Sequence, residues 1–87
     1  MASSLGIRDV RDVQFNASAI DVVVDEDAIL IRLADGREIS APLAWYPRLL
    51  NATPEQRNKW QIMGGGYGIN WEDLDEDISV RGLLRIH

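Results

Sequence analysis

Between residues 20 and 41 the apolar side chains recur at every second position. In "AIDVVVDEDAILIRLADGREISAPL", Ile20, Val22 and Val24 alternate with Asp21 and Val23, and Ile29, Ile31 and Leu33 alternate with Leu30, Arg32 and Ala34. A period of two sends successive side chains to opposite faces of a strand. Asp25-Glu26-Asp27 separates the first two runs, and the hairpin signal Asp35-Gly36 separates the second from "REISAPL". The pattern predicts a three-stranded meander over Ile20–Val24, Ala28–Leu33 and Arg37–Ala41, with Gly36 turning the second hairpin. Upstream, "IRDVRDVQF" offers Val10, Val13 and Phe15 as a weaker additional strand.

After Pro42 the period changes. Leu43, Tyr46, Leu49 and Leu50 fall on one helical face with Trp45 beside it. Pro47 is tolerated only in a first turn, because deeper in a helix it would delete a backbone hydrogen bond at about 3 kcal/mol. This helix is therefore short and starts near Trp45 or Tyr46. A second start signal follows in "NATPEQRNKW": Thr53 can cap, Pro54 suits the first helical position, and Gln56 can reach back as the third residue of a capping box. That helix is expected from Pro54 to Lys59. "WQIMGGGYGINW" reads as a strand broken by glycine, and "DISVRGLLRIH" as a last short helix or turn carrying Val80, Leu83 and Leu84.

These elements predict an α+β fold, a single domain over residues 1–87, and little room for a large cavity. At 87 residues, with 46% hydrophobic and 26% charged side chains, the chain has the composition of a globular protein rather than a disordered one. It has no cysteine, and His87 is its only histidine, which removes disulfides, thiolate ligands and most zinc geometries. No segment approaches the ~20 apolar residues of a membrane span, and "MASSLGIRDV" lacks the pattern of a signal peptide, so a cytoplasmic protein with no membrane partner is expected. Fourteen acidic against nine basic side chains give a net charge of -5. That balance opposes direct nucleic-acid binding and favours a basic or neutral protein surface.

The candidate chemistry lies in "GGGYGINW" and the acidic run after it. A Walker loop needs a Lys-Ser or Lys-Thr pair and a dinucleotide loop needs Gly-x-Gly-x-x-Gly, and neither is present. Gly64, Gly65, Gly66 and Gly68 are read as architectural, with Gly66 and Gly68 as positions where the strand bends or bulges. Asp73, Asp75 and Asp77 imitate the opening of a calcium loop, but its sixth and twelfth positions are Ile78 and Leu84 instead of Gly and Glu. Asp75 and Asp77 are read as carboxylates that cap the following helix; weak magnesium binding stays open. The serines lack an internal histidine base, so no nucleophilic site, catalytic residue or cofactor is expected. Trp45, Tyr46, Trp60, Tyr67 and Trp71, with Arg48 and Arg57, have the composition of an interface hot spot and equally of a small core.

The pieces "DGR", "PLAWYPRL", "AT-EQR", "G-GI-W" and "LDEDISVRGLL", spread over about residues 20–84, resemble the bacterial family called domain of unknown function 2442. The resemblance implies an α+β fold with a curved antiparallel sheet and two or three short helices on one side, and no established activity. It also implies a partner: members of the family often stand beside a second small family, domain of unknown function 4160, in arrangements proposed to be toxin–antitoxin pairs. Others carry an added helix-turn-helix domain, which is not expected here because His87 follows the matched segment closely. Where members often have histidine and proline near "GI-W", this chain has Asn70 and Glu72, which weakens any proton-donor role there.

Two function classes follow. The first is a non-enzymatic interaction module, antitoxin-like, binding another small protein encoded by an adjacent gene through Trp45, Tyr46, Arg48, Arg57 and Trp71. The second is a nucleic-acid-associated regulator binding through Arg8, Arg11, Arg48, Arg57 and Lys59. Pairing of two copies through an edge strand stays open.

Overall fold

The computed structural model describes residues 16–86, with β1 Ala19–Val24, β2 Ala28–Leu33, β3 Glu38–Pro42, α1 Pro47–Leu50, α2 Pro54–Arg57, β4 Gln61–Met63, β5 Gly68–Trp71, β6 Glu76–Ser79 and α3 Val80–Ile86. The additional strand expected around Val10, Val13 and Phe15 lies outside the described residues. The fold class is α+β, and the strands pair as two three-stranded antiparallel sheets, β1-β2-β3 and β4-β5-β6.

The first sheet is the expected meander. Val22 pairs with Ile31 and Ile31 with Ile39, and these three side chains are buried together. The register slips between Ala19 and Asp21, so Ile20 is the extra residue of a bulge. The bulge lets both Ala19 and Val22 face the core, although strict alternation would oppose them, and it turns Ile20 out to 55% exposure. Asp25 closes the first turn by accepting the amides of Asp27 and Ala28 on Oδ1, each at 2.7 Å. Gly36 closes the second with φ +94°, a left-handed value that L side chains avoid. β3 ends at Pro42, at the margin of the sheet, where a missing amide costs no ladder bond.

Tyr46 stands as the N-cap of α1 with Pro47 in the first turn, and a short 3-10 turn, Leu43–Trp45, connects it to β3. Thr53 and Gln56 form the reciprocal capping box of α2: the Gln56 amide donates to Thr53 Oγ1 at 3.1 Å, and the Thr53 amide to Gln56 Oε1 at 3.0 Å.

The glycine-rich segment resolves into a hairpin. β4 and β5 are joined by a turn whose three glycines, Gly64, Gly65 and Gly66, have φ of +59°, +70° and +103°. Gly66 also abuts β1: a Cβ there would lie 2.6 Å from Ser18 Cβ and 2.8 Å from the Ala19 nitrogen. Gly68 differs from expectation, because it is an ordinary strand residue without positive φ, and a Cβ there would meet only the Ile78 carbonyl oxygen at 3.5 Å.

The acidic run corrects a second expectation. Glu76–Ser79 is a strand, paired through Ile69↔Ile78 and Asn70↔Asp77, so Asp75 and Asp77 do not cap the last helix. Asp75 is a left-handed turn residue at φ +52°, and Asp77 lies in β6. Ser79 caps α3 instead, its Oγ accepting the Gly82 amide at 3.0 Å. One buried cluster receives Ile29, Ile31 and Leu33 from the first sheet, Ile69, Trp71 and Ile78 from the second, Leu49 from α1, and Val80 and Leu83 from α3.

Candidate functional site

The residues expected to meet a partner divide into two groups. Trp71 belongs to the core: it has no exposed surface, and its indole N–H donates to the main-chain carbonyl of Arg57 at 2.9 Å. Burial of an indole is favourable when its polar edge finds such an acceptor. The Arg57 side chain is also committed, because Nε donates to the Leu49 carbonyl at 2.9 Å and a terminal nitrogen to the Leu50 carbonyl at 2.8 Å. Those carbonyls belong to the last turn of α1, whose end the chain satisfies only in part: Leu49 also receives the Ala52 amide at 3.2 Å. Arg57 is thus a helix C-terminal clamp, and Trp71 is the floor beneath it.

Trp45, Tyr46, Arg48 and Leu50 remain at the surface of the same corner. Trp45 is 47% exposed and Leu50 43%, whereas Leu43 and Leu49 beside them are fully buried. Tyr46 is half-buried; burial first, and the charge of Glu76 second, raise its phenol above the ordinary value, so it is a neutral hydroxyl. The exposed Arg48 guanidinium donates to the Asp75 main-chain carbonyl and lies 3.8 Å from the Asp75 carboxylate. Arg57 thus ties α2 to the end of α1, and Arg48 reaches across to the turn before β6.

The acidic side chains do not converge. Asp73 lies 3.8 Å from Lys59 Nζ, Asp75 faces Arg48, and Asp77 Oδ1 accepts from Asn70 Nδ2. Among the described residues no group of three or more acidic or histidine side chains could hold a metal ion. Of the residues the regulator reading would need for phosphates, Arg57 is committed to the α1 carbonyls, Arg48 and Lys59 are exposed beside Asp75 and Asp73, and Arg8 and Arg11 lie outside the described residues.

A second feature was not foreseen from the sequence. On the outer face of the second sheet, Met63, Gly68 and Ser79 form one cross-strand row. Because the middle member has no side chain, an open hollow of about 460 Å³ lies over it, bordered by Met63, Tyr67, Asp77 and Ser79. Met63 is 48% and Tyr67 71% exposed. The signal available in the sequence was a glycine between outward-facing positions of a strand, but it required β6 to be recognised as a strand.

No helix among the described residues is long and apolar enough to cross a membrane. A comparison with curated proteins finds no match. Two solved structures are similar. A protein of unknown function from Rhodospirillum rubrum, seen in a crystal structure, is 30% identical with a TM-score of 0.68, over 78% of this chain and 84% of that one. An uncharacterized protein from Chromobacterium violaceum, seen in solution by NMR, is 31% identical with a TM-score of 0.66, over 87% of this chain and 69% of that one. The family model described as "Protein of unknown function (DUF2442)" matches residues 19–86, from the first residue of β1 to the last of α3, and the chain belongs to that family.

Proposed function

We propose that this chain is a non-enzymatic interaction module that docks a more basic small protein on the corner formed by Trp45, Tyr46, Arg48 and Leu50. The observation that carries the reading is the exposure of Trp45 and Leu50 on a short segment whose C-terminal end is tied to α2 by the two Arg57 hydrogen bonds. A large apolar side chain kept in place before binding loses little conformational entropy when a partner covers it. Tryptophan and arginine are also the residue types whose truncation costs interfaces most. The adjoining Asp75, at Arg48, and Glu76, near Tyr46, together with the net charge of -5, supply attraction for a basic surface. In this reading the chain is the antitoxin-like member of a two-gene pair and works in the cytoplasm, a role suggested by the family resemblance.

The test is co-purification with the product of the adjacent gene. Trp45→Ala and Arg48→Ala are expected to keep the melting temperature close to that of the parent. Each is expected to weaken capture by a cost of about 2 kcal/mol, roughly thirtyfold in affinity. A folded variant that retains the partner at parental affinity would return the corner to a packing role. Absence of any partner would remove the antitoxin-like reading altogether.

A further inference from the structure

We propose that the hollow over Gly68 is a second docking site, which takes an extended segment of a partner protein carrying an apolar side chain and, two positions along, a lysine or arginine. The inference starts from the register. Met63, Gly68 and Ser79 form one outward row and Gln61, Asn70 and Asp77 the next, both on the face opposite the buried Ile69 and Ile78. The first row offers a hollow between a thioether and a hydroxyl, with the Tyr67 ring at its edge. Its volume of about 460 Å³ lies within the range of ordinary ligand pockets. The second row offers a carboxylate, Asp77, whose Oδ1 is oriented by Asn70.

Residues two apart on a strand are separated by ~6.8 Å and point the same way. An extended segment lying along β6 therefore places one side chain over Gly68 and its next same-face neighbour beside Asp77. The sign of that neighbour is set by charge: Asp77 favours a cation, as does the net charge of -5. Arg81 sets the direction. It borders a smaller hollow that shares Tyr67 and Ser79 with the first, so a cation approaching from that end is repelled. The site is separate from the Trp45 corner and is tested with a peptide instead of the adjacent gene product, so either reading can fail without the other.

The probe is a hexapeptide, acetyl-Ser-Thr-Phe-Thr-Lys-Thr-amide, titrated into the nitrogen-15-labelled chain and followed by amide chemical shifts. Saturable shifts are expected at Tyr67, Gly68 and Ser79, with a dissociation constant of about 1 mM, as suits one anchored side chain. Replacing the peptide lysine with glutamate, or Asp77 with Asn, should weaken binding about threefold to fivefold, the worth of an exposed ion pair. Gly68→Val should fill the hollow and weaken binding more than about tenfold while leaving the fold intact. Gly68→Ala, whose Cβ has ordinary contact with the Ile78 carbonyl at 3.5 Å, provides a milder filled variant. The proposal is overturned by shifts that map elsewhere or are missing at several times that concentration, by equal affinity for the lysine and glutamate peptides, or by folded Gly68 variants that bind like the parent. A parental dimer that Gly68→Val converts to monomer would assign the hollow to a second copy and overturn it equally.

Discussion

The indole N–H of Trp71 donates to the main-chain carbonyl of Arg57, while the Arg57 guanidinium donates to the carbonyls of Leu49 and Leu50. One residue thus accepts from the core and donates to a helix end, coupling β5, α2 and α1. Trp71→Phe is expected to keep the fold and cost about 1–3 kcal/mol, since it leaves a carbonyl without its donor and removes part of a packed ring. Arg57→Ala should cost a similar amount by removing both guanidinium bonds to the end of α1 and leaving the Leu50 carbonyl without that donor. Urea unfolding of both variants, with unchanged m-values, checks this.

The two central glycines should behave differently. Gly66→Ala combines a left-handed backbone with a Cβ less than 3 Å from the backbone of Ser18 and Ala19, and should lose about 2–4 kcal/mol. Gly68→Ala has neither problem and should change stability by less than about 1 kcal/mol, in either direction. Calorimetric melts of the pair decide it; equal losses would contradict the geometry.

Asp35 provides the pH dependence. Its side chain is 1% exposed, and its oxygens accept the Asn16 amide and both the amide and Nε of Arg37. The Arg37 guanidinium chiefly holds its carboxyl at about 2, below the ordinary 3.8. A carboxyl depressed in the folded state binds its proton more readily when unfolded, so its contribution is fully present above pH ~4 and disappears as pH falls toward 2. Parent and Asp35→Asn melting temperatures, measured from pH 6 to 2, should therefore converge at the acid end. A gap that stays constant over that range would contradict the linkage.

Calcium and magnesium should not bind specifically to the acidic run. Asp73, Asp75 and Asp77 are drawn to Lys59, Arg48 and Asn70, three different directions, whereas calcium requires six to eight converging oxygens. Titration calorimetry should show no submillimolar heat with either ion, and binding lost in Asp75→Asn would contradict this.

The first sheet was legible because its signals are local. Alternation fixes the faces, Asp35-Gly36 fixes a turn, and Thr53 with Gln56 fixes a helix start within four residues. β6 was not legible: "EDIS" ahead of "VRGLL" has the composition of a helix N-terminus, and what makes it a strand is the non-local pairing of Ile78 with Ile69. The candidate site divided for the same reason. Nothing in the composition of Trp71 and Arg57 separates a core from an interface; their mutual hydrogen bond does, and it joins residues fourteen apart. Trp45 keeps its expected exposure because the short turn before α1 buries Leu43 and leaves the next two positions outside or half outside.

Sequential strand order has a kinetic consequence. Each sheet is a meander whose strands pair only with their neighbours in the chain, so each can close short loops at small entropic cost without waiting for the other. The union of the two is expected to follow, since the bond from the Ala19 amide to the Gly66 carbonyl, at 2.8 Å, joins residues far apart in sequence. A substitution at Gly66 should therefore act mainly on the unfolding limb of the chevron and leave the refolding rate nearly that of the parent. Together with the shared core, that bond is expected to act as a latch, bearing on how long the native state lasts more than on how fast it forms.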